Sequence, residues 1–391
     1  MNTSDKPARL MSLDAYRGFI MLAMASSLGG ALVQVARNTG HSADPWMKFL
    51  IYQFDHAAWT GCAFWDLIQP SFMFMVGVAL PYSYASRKAR GDSEARIFCH
   101  TLVRSLVLIG LGIFLVSNGR KETDFTFVNV LTQIGLGYPF VYLLVNRGRK
   151  VQLAMLASIL VGYWLAFALY PLPPADFDWN ALKVTEAERF DGFFVHWNKN
   201  ENFAAWFDRW FLNKFPRHER YEFNAGGYQT LNFVPSMATM LLGLMAGELL
   251  RGPRGAGEKL GLLFLAGAVC LGLGQAADLT VCPSIKRIWT PAWALYSSGW
   301  TFWMLGGFFA VIDILGYRAW AFPLVVVGMN SIAMYCMAQV MKPWLRQTWQ
   351  THLGTNVFGG DYGPLLQTAA VLFSLWLICY WLYRQRIFIR I

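Results

Sequence analysis

"FDHAAWTGCAFWDLIQPSFMFMVG", residues 54–77, opens like the start of a membrane helix but carries unusual residues for one. Its first half holds His56, Trp59 and Asp66, and Pro70 follows before the run turns fully apolar. Ionisable groups near hydrocarbon are costly, which makes them candidates for function. Read as one helix over 59–84, the stretch puts His56 and Asp66 about 15 Å apart at 1.5 Å per residue. On that reading the two form no direct dyad. Asp66 instead meets a partner on another helix, and Pro70 kinks the helix below it. His56 reads either as an interfacial histidine bonded to a backbone carbonyl or as an acid–base group, since imidazole titrates near neutrality. Trp59 reads either as an aromatic wall or as a membrane-interface anchor.

The rest of the chain decides the solvent. Of 391 residues, 55% are hydrophobic and only 14% charged, where a soluble domain carries about a quarter charged. The mean hydropathy is +0.35. Stretches such as "SLVLIGLGIFLV" and "QLAMLASILVGYWLAFALY" suit lipid. These features predict an all-α polytopic membrane protein, a single transmembrane domain over 1–391, with about ten spans. They fall near 18–37, 59–84, 97–118, 126–146, 150–171, 229–251, 256–277, 291–315, 318–340 and 363–386. The polar residues 1–17 and the lack of a small-residue cleavage site argue against a removable signal peptide.

A net charge of +10 raises the question of nucleic acid, but the charges sit in the short loops, as an orientation signal does. One face receives Lys6, Arg9 and Arg17, then Arg87, Lys88, Arg90 and Arg96, then Arg147, Arg149 and Lys150. Arg251, Arg254, Lys259, Arg318, Arg384, Arg386 and Arg390 follow on the same side. By the positive-inside rule that face and both termini are cytoplasmic, and His56 lies at the outer mouth. The loop 172–228 is then also outside, with fifteen aromatics among many charges. It reads as amphipathic helices lying on the membrane, or as a lid over an outward-facing cleft.

The motif search excludes several chemistries. There is no HExxH, P-loop, GxGxxG or GxSxG pattern. The six histidines are scattered and the six cysteines form no CxxC pair, so no metal site is indicated; Cys62 and Cys282 both fall near the outer face, and the sequence leaves open whether they pair. Besides the opening stretch, two constellations remain, Asp14 with Arg17 and the later pair of segments that hold Lys286, Arg287 and Asn330. Asp14 and Arg17 share a face of the first helix, as a cap with an ion pair or as a site for an anionic ligand. Lys286 and Arg287 are basic residues on the outer side, against the general bias. Asn330 falls mid-helix, where an interhelical hydrogen bond is the plain reading. Arg104 either snorkels to headgroups or meets phosphate near the cytoplasmic face.

Five segments in order carry a likeness: "RLMSLDAYRGFIMLAM", "HAAWTGCAFWDLIQPSFMFMVG", "NVLTQIGLGY", "KRIWTPAW" and "FPLVVVGMNSI". Together they resemble the heparan-α-glucosaminide N-acetyltransferase family, over nearly the whole chain. The resemblance implies a transmembrane acetyltransferase that takes acetyl from cytosolic acetyl-CoA and delivers it to an amino sugar across the membrane. It implies His56 as general base or acetyl carrier, with Asp66 as the second site carboxylate. Asp14, Arg17, Arg104 and Asn330 fall to the acyl-CoA side, and Trp59, Lys286 and Trp289 to the acceptor side. The implied partners are acetyl-CoA, a sugar or glycan acceptor and the bilayer, with no metal and no nucleic acid; a homodimer is left open. A bacterial inner membrane and an envelope glycan are the expected setting. The chain departs from the family pattern at Ser27 and Leu28, at Asn224–Gly227 and at Thr132–Gln133, so acceptor and acyl length stay open. The competing class is a transporter or flippase of an envelope glycan precursor on the same fold.

Overall fold

The computed structural model describes residues 10–174 and 176–389; Lys6, Arg9 and Arg390 of the charge pattern lie outside the described residues. Among the described residues every regular element is helical. The chain gathers into two compact units. One takes the chain up to Phe54, Gly255–Phe264 and the chain from Phe302 onward; the other takes Asp55–Arg254 and Leu265–Thr301.

The first unit begins with α1 (Met11–Ser26), α2 (Leu28–Asn38) and α3 (Pro45–Gln53). Ser27 adopts a left-handed conformation and turns α2 away from α1 by 47°. The second unit holds α4 (Ile68–Ala89), α5 (Glu94–Ser117), α6 (Val130–Tyr142), α7 (Arg149–Ala168), α8 (Phe203–Phe211) and α9 (Phe233–Arg251). Residues of α10 (Ala256–Thr280) and α11 (Pro291–Phe308) are divided between the units. The first unit is completed by α12 (Phe322–Met329), α13 (Ser331–Val340), α14 (Lys342–Leu353) and α15 (Gly363–Arg384).

Each unit is built on a helix pair in backbone contact. In the first, a Cβ on Gly18 of α1 would sit 1.8 Å from the Leu324 carbonyl oxygen, and one on Gly328 of α12 equally close to that of Asp14. In the second, Gly77 of α4 and Gly243 of α9 leave the same room for the Met240 and Phe74 carbonyls. Small residues at such crossings let helices approach without a hydrophobic driving force between them. The consequence shows in burial. Within the spans of α4 and α9, 72% of residues are buried, against 22% for α5, α7 and α10, whose apolar outer faces suit lipid.

Among the described residues, seven helices are long and apolar enough to cross a membrane, or up to nine if each of two bent pairs is one span. About ten were expected; α6, expected over 126–146, has only 13 residues. At 1.5 Å per residue it covers about 20 Å, short of a hydrocarbon core near 30 Å. The expected mid-helix Asn330 is instead the break between α12 and α13, which are bent by 72°. Its side chain donates to the Ile387 carbonyl (3.1 Å) and accepts from the Ile389 amide (3.0 Å).

The opening stretch also differs from its expected form. Residues 55–63 are irregular, Gly61 has a φ of 107°, and helical structure starts only with a 3-10 turn at Phe64–Leu67. The segment 172–228, expected as surface-lying amphipathic helices or as a lid, turns part of its aromatic side chains inward and leaves others, Trp206 and Trp210 of α8 among them, exposed. The short α8 and several 3-10 turns bury Trp197, Ala204 and Leu212. Trp197 and Ala204 join Tyr163, Phe167, Ile285 and Ile288 in one core. The segment is a packed cap on the second unit.

That cap encloses a charged group. Asp208 is fully buried, and its Oδ2 accepts from the Thr230 amide at 2.9 Å. Burial pushes its carboxyl from 3.8 up to about 7, outweighing that hydrogen bond. Between those values the folded cap holds a proton the unfolded chain has lost, so stability falls as pH rises through this window. The full penalty, present above pH 7, is about 4 kcal/mol. Asp208→Asn should therefore raise the melting temperature at pH 8 and flatten its dependence on pH. An equal pH dependence in the variant would clear Asp208 of this role.

Candidate functional site

Asp66 explains the odd start of α4. It occupies the third position of the 3-10 turn, and its Oδ2 accepts from the Ala63 amide at 3.1 Å, as a capping carboxylate does. The same oxygen accepts from the Ala57 amide at 3.1 Å, so the irregular chain is drawn back over the helix start. This folding back brings His56 to Asp66. His56 Nδ1 lies 2.8 Å from Asp66 Oδ1, which overturns the expected 15 Å gap and the expectation that Asp66 is not the partner of His56.

A third group arrives from far along the chain. Lys286 Nζ lies 3.0 Å from Asp66 Oδ1 and 3.0 Å from His56 Nδ1. The 283–290 turn that carries it is fixed by Thr290. That hydroxyl donates to the Pro283 carbonyl (2.7 Å) and accepts from the Ile285 amide (3.0 Å). Trp289 in this turn has a φ of +47°, uncommon for a bulky residue, with its ring fully buried. Arg287 ties three segments together by donating to the Gly226 carbonyl (2.7 Å) and the Ala57 carbonyl (3.3 Å).

The electrostatics follow from burial. The Asp66 side chain is 1% exposed and that of Lys286 7%, while His56 keeps 38%. Burial lowers the Lys286 pKa, and the Asp66 carboxylate pulls it back up. The nearby Cys62 thiol is pushed up to about 12 by burial and then by Asp66, so it offers no thiolate at neutral pH. Only one of two bonds can serve Nδ1 at a time. Donating to Asp66 leaves Nε2 with a lone pair, a base, and the imidazolium formed when Nε2 takes a proton can return it from the same nitrogen; accepting from the Lys286 ammonium instead places the one proton of the neutral ring on Nε2. The geometry suits proton transfer in both directions.

The other expected residues fall as follows. Trp59 is not an accessible wall or anchor: it is 2% exposed, donates to the Trp197 carbonyl at 3.3 Å and packs against Gly227. Arg104 on α5 donates to the Tyr138 hydroxyl (3.2 Å) and stacks over that ring at 4.7 Å. Asp14 and Arg17 lie 3.7 Å apart in the first unit, which also contains Asn330. The contribution of Lys286 to a triad was not legible, although its sign on the outer side was the clue. No group of three metal-ligating side chains stands together among the described residues.

An accessible imidazole held by a buried carboxylate and a buried lysine, at the head of a membrane-length helix, defines the class. This is a multi-pass helical membrane protein with a His–Asp–Lys cluster. Over most of its length the chain is similar to two proteins named heparan-α-glucosaminide N-acetyltransferase. The protein of that name from Homo sapiens is 25% identical over 98% of this chain, and that from Mus musculus 23% over 87%. The chain spans about 60% of the human relative and 57% of the mouse one. No protein-family model matches it.

Proposed function

We propose that the protein is a membrane acyltransferase that moves acetyl from cytosolic acetyl-CoA to an amino or hydroxyl group of a sugar across the bilayer. The observation that carries this reading is the His56–Asp66–Lys286 cluster. With Nδ1 turned to Asp66, Nε2 accepts the proton of an acceptor amine or hydroxyl as that group attacks the thioester carbonyl. The carbon–sulfur bond then breaks, and the departing thiolate takes the proton as free CoA. Transfer by way of an acetylated imidazole is the alternative use of the same nitrogen.

For the donor, Arg104 is the better supported cation, since no carboxylate pairs with it among the described residues and an intramembrane charge needs a partner. Asp14, Arg17 and Asn330 are retained as donor-side candidates, although Asn330 is already committed to the 387–389 backbone. Lys286 is part of the acid–base centre, and Trp289, three residues on in the same turn, is retained as an acceptor-side candidate. The expected setting is a bacterial inner membrane with an envelope glycan as acceptor. Purified protein given labelled acetyl-CoA and a panel of amino sugars should release CoA thiol and label at least one acceptor. Absence of both transfer and CoA binding would sink the reading.

A further inference from the structure

The basic end of the second unit carries a cleft of about 450 Å³, lined by Tyr84, Glu94, Phe98, Tyr142, Asn146 and Arg147 among others. Its volume is that of a small-molecule site. Three aromatic rings cluster in it, with Tyr142 centred 6.4 Å from Tyr84 and 5.9 Å from Phe98. Glu94 accepts from the Tyr84 hydroxyl at 2.6 Å and pairs with Lys88 at 2.8 Å, so its charge is offset. The mouth is basic, with Arg147 in the lining and Lys88 beside it.

We propose that this cleft seats the adenine nucleotide of the acyl donor, an inference that rests on the acyl-CoA reading above. The chemistry matches part by part. The aromatic faces take a flat base, the Glu94 carboxylate accepts from an exocyclic amine, and Arg147 meets phosphate. A lipid headgroup would use the cation but not the rings. Position supports the same ligand. Tyr84 follows Asp66 by 18 residues on one continuous helical span, which is about 27 Å at 1.5 Å per residue. A donor that binds here and reacts at His56 must carry its acyl group far from its base, as a pantetheine arm does. Arg104 lies between, about 15 Å into α5 from Glu94, one turn below the cleft through its contact with Tyr138.

The test compares donors. Arg147→Glu and Phe98→Ala should each raise KM for acetyl-CoA roughly tenfold and leave kcat and KM for S-acetylpantetheine, which lacks the nucleotide, within about twofold. ADP should compete with acetyl-CoA in the wild type and lose that competition in both variants. Equal effects on the two donors, no effect on either, or competition by phosphatidylglycerol vesicles in place of ADP would overturn the assignment. A wild type that transfers acetyl from neither donor would instead bring down the functional reading, and this inference with it.

Discussion

His56→Ala should leave the protein folded and able to bind acetyl-CoA while acetyl transfer falls by about 10²–10⁴-fold, the usual worth of a general base. The expectation rests on asymmetric burial. Asp66 and Lys286 are enclosed, but 38% of the imidazole is exposed, and its ring contacts run through Nδ1. Removing the ring therefore takes away Nε2 and leaves Asp66 still satisfied by Lys286 and by the Ala57 and Ala63 amides. Melting temperature and CoA affinity should match the wild type. Labelled acetyl-CoA without acceptor separates the two uses of the nitrogen: protein-bound label lost in His56→Ala marks an acetyl carrier, and no label marks a general base. Unaltered transfer by His56→Ala would refute both.

The class of fold was legible because apolarity alone identifies helices built for lipid, and α5, α7 and α10 are such helices. The centre of the site was not. "HAAWTGCAFW" is apolar enough to continue a helix, and no proline lies between Pro45 and Pro70. Only the Asp66 side chain, reaching back to Ala57 and Ala63, shows that the segment folds over the helix start instead. Lys286 is 220 residues from Asp66, and no periodicity reports a contact of that kind. The aromatics of 172–228 left two readings open for a different reason. Trp and Phe suit both a membrane interface and a protein core, and Trp197, stacked on Phe167, chose the core. Asn330 was correctly singled out as polar within an apolar run, yet it marks a break in the helix and not a bond across its middle.

Asp66→Ala should be the most destabilising change in the site, by about 3–5 kcal/mol, because it strands the Lys286 ammonium in a buried position. It also removes the acceptor for the Ala57 and Ala63 amides, so the chain over the start of α4 loses its anchor. Folded yield and melting temperature should fall together. If the stranded charge is the main cost, adding Lys286→Met should restore much of the stability, since an apolar side chain of similar length needs no partner. Activity should not return, because the imidazole then has neither a carboxylate to orient it nor a cation to set its tautomer. Lys286→Met alone leaves the Asp66 carboxylate held by His56 Nδ1 and two amides, so it should be milder than Asp66→Ala. Thermal melts of the two single variants and the double variant decide the matter. A double variant as unstable as Asp66→Ala would place the cost in the lost amide contacts, and an Asp66→Ala protein that melts like the wild type would show that the pair holds nothing together.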